Sequence, residues 1–126
     1  MTQENKDLLL KDLCARLPYG VKVNNEIQGD FVLYGICENY IFARTTNKHG
    51  WINHADFNIE KIKPYLFPLS SMTKEQEEEY KKTTISDGIL TVWTTSTYDW
   101  LNKNHFDYRR LIEKCLAVDA TGLNIY

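Results

Sequence analysis

The fold is decided within residues 31–44, which read FVLYGICENYIFAR. Two runs rich in β-branched and aromatic residues, 31–36 and 40–44, flank the turn signal Glu38-Asn39. Strands of this length joined by a tight turn form an antiparallel hairpin. The stretch therefore predicts the centre of an antiparallel sheet.

The strand pattern extends to both sides of this hairpin. Residues 21–23 alternate in polarity ahead of turn signals at 24–25 and 29–30, and a turn over 47–50 precedes Trp51-Ile52. Residues 20–70 therefore predict a β-meander, which either stays a small open sheet or closes into an SH3-like barrel. Pro64 and Pro68 hold the end of this segment extended, as a strap across the core.

Helical periodicity marks the two flanks of the meander. Residues 5–17 predict an N-terminal helix with Asn5 as its cap and an apolar stripe at Leu10, Leu13, Cys14 and Leu17. After residue 71 the pattern predicts helices at 73–82, 97–103 and 107–117, with one hairpin or strand around Asp87-Gly88. The fold class is therefore α+β, a single domain over residues 1–126 with the C-terminal helices packed on the sheet.

Composition limits the class of protein. The chain has 126 residues, 43% of them hydrophobic and 25% charged, and a net charge of −2, as is ordinary for one globular domain. These values argue against a membrane protein, a disulfide scaffold and a polybasic nucleic-acid tail. Cys14, Cys37 and Cys115 fit no metal or redox spacing, and we expect them in the core of a cytoplasmic protein.

Motifs for chemistry are absent from the sequence. It holds no P-loop, no dinucleotide fingerprint, no nucleophile elbow and no H-E-x-x-H zinc motif. We therefore assign no catalytic residue, metal or cofactor, and expect a protein that is not an enzyme.

Aromatic residues are unusually frequent, with 8 Tyr, 5 Phe and 3 Trp making 13% of the chain. A small core cannot enclose all of them, so some should form an interaction surface. The candidate residues are Tyr34, Tyr40, Phe42, Arg44, Trp51 and Trp93. The expected partner is another protein, or a second copy of this chain through a sheet edge.

Two other functions remain open. Aromatic and basic residues together are the composition of a surface that stacks single-stranded nucleic acid, although the balanced charge argues against it. A small metal-dependent hydrolase would use His49, His54 and Asp56. His105 and Asp107 repeat the same His-x-Asp spacing. Asp107 is the predicted cap of the last helix, and the His105 imidazole beside it could titrate near neutrality.

Two segments carry a family resemblance: residues 64–76, PYLFPLSSMTKEQ, and residues 98–114, which include YDWLN and HFDYRRLIEK. They resemble a family of small uncharacterised proteins of gut bacteria, often encoded beside phage or mobile-element genes. The resemblance implies a bacterial or phage origin and an intracellular setting, and no activity or site residue comes with it.

Overall fold

The computed structural model describes residues 1–46 and 48–126, so Asn47, which opens the predicted turn at 47–50, lies outside the described residues. The α+β class is confirmed. The elements are, in chain order, α1 (Gln3–Arg16), β1 (Lys22–Asn25), β2 (Gly29–Cys37), β3 (Tyr40–Thr46), β4 (Ile52–Asn58), β5 (Lys63–Pro68), α2 (Lys74–Thr83), β6 (Ile85–Ser86), β7 (Thr91–Val92), α3 (Thr95–Lys103), β8 (Phe106–Asp107) and β9 (Val118–Asp119).

The main sheet is open. Its order is β4-β3-β2-β1-β5-β8, with β9 also paired to β5, and β4 and β8 lie at opposite ends. Neighbours from β4 to β5 are antiparallel, whereas β8 and β9 pair with β5 in parallel. Of the two predicted arrangements, the described residues therefore form the open sheet and not the SH3-like barrel. The predicted strap is β5, a strand in the interior of the sheet.

Helix α1 covers one face of the sheet. Leu9 and Leu13 are fully buried and share the core with Phe31, Ile41 and Phe57. The N-cap is Thr2, whose side chain accepts a hydrogen bond from the Asn5 N–H, so the prediction of Asn5 as cap is wrong. The buried side of α1 also holds polar residues. The buried side predicted from the apolar residues alone is therefore displaced by about one residue along the helix.

The predicted burial of the cysteines is wrong, because Cys14, Cys37 and Cys115 are all exposed and free. The buried side of α1 carries Asp12 and Arg16 in addition to leucines, and this turns Cys14 toward solvent.

The caps of the later helices follow the expected chemistry. Thr73 and Gln76 form the predicted capping box of α2. Helix α3 has a second capping box, from Thr94 to Thr97, which starts the helix two residues earlier than predicted.

The predicted helix at 107–117 does not form. The segment turns between β8 and β9, with Arg110 at φ 60° and Cys115 at φ 59°. Residues in this left-handed conformation interrupt an α-helix. The Asp107 carboxylate accepts hydrogen bonds from the Leu111 and Ile112 N–H groups, so it caps a turn instead of a helix. Burial of Leu111 and Leu116 produced the spacing that imitated a helix.

Among the described residues, the helices are all too short or too polar to cross a membrane.

Candidate functional site

The site is the face of the sheet turned away from α1. On β3, Ile41 and Ala43 point into the core, so Tyr40, Phe42 and Arg44 lie on the opposite face. The strand register continues this face across β1 to β4, in the row formed by Lys22, Val32, Arg44 and His54. We call this surface the outer face.

Three side chains pack together in a cluster at the centre of the outer face. The Tyr34 ring meets the His54 ring edge-on at a centroid distance of 5.6 Å, and the Arg44 guanidinium lies 5.9 Å from the Tyr34 centroid. A shift of register between Leu33 and Gly35 places Tyr34 in this position. No acidic group of the described residues forms an ion pair with Arg44. The cluster therefore presents aromatic surface beside a positive charge that no ion pair compensates.

Five of the six predicted surface residues lie on or beside the outer face. Tyr40 and Phe42 share it with Tyr34 and Arg44, Tyr40 being exposed and Phe42 half-buried. Trp51 directly precedes β4 and is 74% exposed.

Trp93 belongs to a different cluster. It is half-buried and contacts Tyr80, Tyr98 and Tyr108 edge-on, at centroid distances of 5.4 to 6.2 Å. Its indole N–H donates to the Tyr80 hydroxyl at 2.7 Å. The sequence could not separate Trp93 from the others, because its strand pattern is the same as theirs.

Among residues 1–46 and 48–126, no strand pairs with the outer edge of β4. Just beyond β4, the Ile59 N–H donates to the Asn39 carbonyl at 2.8 Å. Hydrogen-bonded pairs alternate along an antiparallel ladder, so Ala55 directs its N–H and C=O groups toward Ala43 on β3. The backbone groups of Ile52, His54, Asp56 and Asn58 consequently point away from the sheet.

This edge has little of the usual protection. Natural edge strands are shortened or carry charged side chains, especially Lys, or Pro or a bulge that prevents pairing with other chains. Strand β4 has seven residues, INHADFN, with Asp56 as its one acidic residue and no Lys, Pro or Gly, and it pairs with β3 without a register shift. The opposite end of the sheet is formed by the two-residue strands β8 and β9.

A shallow cavity of about 660 Å³ adjoins the row on the outer face. Lys22, Arg44 and Ile52 line it together with Asn124 and Ile125 near the end of the chain. Asp30 also lines it, so the cavity combines charges of both signs with apolar walls and can admit an amphipathic side chain.

The metal-dependent hydrolase has no ligand set in the structure. His54 and Asp56 lie two residues apart on the outer face. Across residues 1–46 and 48–126, however, no three His, Cys, Asp or Glu side chains gather as a metal site would require. Among these residues, His49, His54 and Asp56 are therefore not part of such a cluster.

The second His-x-Asp pair is structural. His105 is buried at φ 62°, and its ring stacks on the Tyr126 ring at a centroid distance of 3.7 Å. Burial, with the nearby charges of Arg16 and Lys22, lowers the pKa of His105 to about 4. The imidazole of His105 is therefore neutral at physiological pH and does not titrate near neutrality, the alternative that the sequence had left open.

A buried ion-pair network connects α1 to the segment after α3. Asp12 accepts hydrogen bonds from Arg16 at 2.8 and 3.1 Å and from Arg109 at 2.9 Å. Arg16, fully buried, also donates to the Phe106 carbonyl at 2.6 Å. These contacts fix two segments that are far apart in the sequence.

The hairpin or strand predicted around Asp87-Gly88 is a hairpin, and the sequence did not reveal that its apolar side chains are exposed. Strands β6 and β7 pair only with each other. Their side chains Ile85, Ile89, Leu90 and Val92 are exposed, Ile89 to 95%. The sequence signal was the polar helix α2 directly before it, since a hairpin that follows a solvated helix need not reach the core.

Comparison with known proteins leaves the site to be interpreted from its geometry, because the chain matches no family model, no curated protein and no solved structure.

Proposed function

We propose that this protein is a non-catalytic interaction protein that binds a polypeptide strand along the outer edge of β4. The observation that carries the proposal is this weakly protected edge. Strand addition to such an edge gives affinity through main-chain hydrogen bonds and specificity through neighbouring side chains.

The outer face supplies the neighbouring side chains. A strand paired with β4 runs beside His54 and Asp56 and past the exposed Ile52. Arg44 lies one strand inward and Tyr34 two strands inward, within reach of long side chains of the partner. The proposed surface therefore combines the β4 edge with Tyr34, Tyr40, Phe42, Arg44 and Trp51.

A displayed library of random 12-residue peptides tests the proposal. We expect the wild-type chain to select peptides with strand propensity. His54→Pro removes an N–H that points away from the sheet, a substitution that edge strands tolerate, and should weaken these peptides at least about tenfold. His54→Ala is the matched control, since it removes the same side chain and keeps the N–H. It should bind several-fold more tightly than His54→Pro, and the difference between the two variants measures the contribution of the N–H.

Two results would reject strand addition. One is the failure of the wild type to select any peptide. The other is equal binding by His54→Pro and the wild type, with circular dichroism showing both folded.

A second candidate is a single-stranded nucleic acid on the same outer face. The supporting observation is the Arg44 guanidinium against the Tyr34 ring with no acidic partner, an arrangement that also suits a stacked base. Titration with a labelled single-stranded oligonucleotide separates the candidates, because nucleic-acid affinity falls steeply with salt and peptide pairing does not.

The setting of this function is also part of the proposal. The sequence resemblance supports a bacterial or phage protein acting in the cytoplasm, with no cofactor.

A further inference from the structure

We infer that the strand added to β4 is β4 of a second copy of this chain, in an antiparallel pair whose two-fold axis passes through Ala55. The inference rests on the proposed function, because it names the partner of the same edge. Three properties of residues 52–58 support it.

The first property is charge complementarity. A two-fold axis at Ala55 places each residue opposite the one equally far on the other side, so His54 faces Asp56 of the second copy. By symmetry the pair occurs twice, with an imidazole N–H donating to a carboxylate oxygen each time. Both side chains are exposed on the outer face, and the structure gives Asp56 no hydrogen bond or ion pair among the described residues.

The second property is which residues of β4 direct their backbone N–H and C=O groups away from the sheet. The outward backbone groups belong to Ile52, His54, Asp56 and Asn58, as derived from the Ile59–Asn39 hydrogen bond. In the inferred register these residues face one another, His54 with Asp56 and Ile52 with Asn58. Each facing pair exchanges two hydrogen bonds, so all outward groups of the strand are satisfied.

The third property is the small residue on the axis. Ala55 faces Ala55 of the second copy as a non-hydrogen-bonded pair, in which the Cα atoms approach to about 4.5 Å. Ala55 is half-buried and packs against the core, so a larger residue at this point would crowd its own symmetry mate.

A charge exchange tests the register. His54→Asp places two carboxylates opposite each other at both positions, and Asp56→His places two imidazoles there. We expect either single variant to weaken the dimer by about tenfold, as two lost cross-strand pairs would. The double variant His54→Asp/Asp56→His restores opposite partners and should recover the wild-type dissociation constant in sedimentation equilibrium.

A disulfide tests the position of the axis. In a background with Cys14, Cys37 and Cys115 changed to Ser, Ala55→Cys should cross-link two chains on oxidation, since the expected Cα distance lies within the disulfide range. Asn53→Cys is the control. Its symmetry mate lies about 14 Å away along the strands, so it should not cross-link.

The outcomes separate the two proposals. A chain that stays monomeric at its highest soluble concentration overturns the dimer, and peptide selection sensitive to His54→Pro would then still support strand addition. If neither single charge variant changes the dissociation constant of the dimer and Ala55→Cys does not cross-link, the dimer forms through another surface. That result also overturns the inference. Rescue by the double variant together with the specific cross-link supports it.

Discussion

Single residues in this protein take their roles from burial more than from their chemical type. His105 and His54 both precede an aspartate by two residues. His105 is buried against Tyr126, whereas His54 is exposed beside Tyr34. Only the fold distinguishes the imidazole that stabilises the structure from the one available to a partner.

The neutral His105 makes stability depend on pH. Its pKa is about 4 in the folded chain, below the ordinary value of about 6.5. The unfolded chain therefore binds a proton that the native chain excludes, and the stabilisation, complete above pH 6.5, is lost as the pH falls toward 4. Urea unfolding from pH 7.5 to 4 should show this loss.

His105→Asn is the matched variant, because asparagine tolerates the left-handed backbone of this position and does not titrate. Its stability should fall less between pH 6.5 and 4 than that of the wild type. Equal pH slopes for the two proteins would contradict the assignment of a buried neutral imidazole.

Elements are joined through polar contacts that hydrophobic patterns do not reveal. The sequence allowed β1 to β3 and the start of β4 to be predicted because alternation and turn residues are local signals. The inward face of α1 was misjudged because Asp12 and Arg16 lie on it. The turn at 107–117 was mistaken for a helix because its buried leucines have helical spacing. The Arg109–Asp12 contact joins these two regions, and a contact between residues so far apart in the sequence leaves no trace in the local hydrophobic pattern.

Asp12→Asn should show how strongly α1 depends on its buried ion pairs. The change leaves Arg16 without a charged partner inside the protein, and such losses cost about 3–5 kcal/mol. Denaturant unfolding measures the effect. Lys6→Ala removes the exposed pair with Glu60 and should cost less than about 1 kcal/mol. Similar losses for the two variants would contradict the distinction between the buried and the exposed pair.

The candidate site was only partly predictable. Five of its aromatic and basic residues follow from composition and strand alternation. The edge position of β4 does not, because strand order depends on β5 pairing with β1, between partners about forty residues apart. The same long-range pairing decides which strand ends the sheet, and so where the proposed partner would bind.

At the scale of the whole molecule, the C-terminal residues complete the sheet. The Tyr126 hydroxyl accepts a hydrogen bond from the Lys22 N–H and donates one to the Tyr65 carbonyl, each at 2.8 Å. It thereby bridges β1 and β5 directly beyond their last paired residues, Val23 and Pro64. Burial raises the pKa of the Tyr126 phenol above its ordinary value.

Tyr126→Phe should destabilise the protein by about 1–3 kcal/mol, because it leaves a strand N–H and a strand carbonyl without their partner. Thermal and denaturant unfolding measure this loss. Tyr98→Phe is the control, since the Tyr98 hydroxyl makes no hydrogen bond in the described part of the chain, and it should change stability by less than about 0.5 kcal/mol. A Tyr126→Phe protein as stable as the control would show that the bridge contributes nothing.

The interior place of β5 has a consequence for biosynthesis. One side of β5 pairs with β1, which a ribosome makes earlier, and the other side with β8 and β9, which it makes later. A nascent chain that has emerged only as far as β5 therefore exposes a strand whose second side has no partner yet. Because such surfaces favour aggregation, slow translation of residues 69–105 should increase the demand of this protein for chaperones.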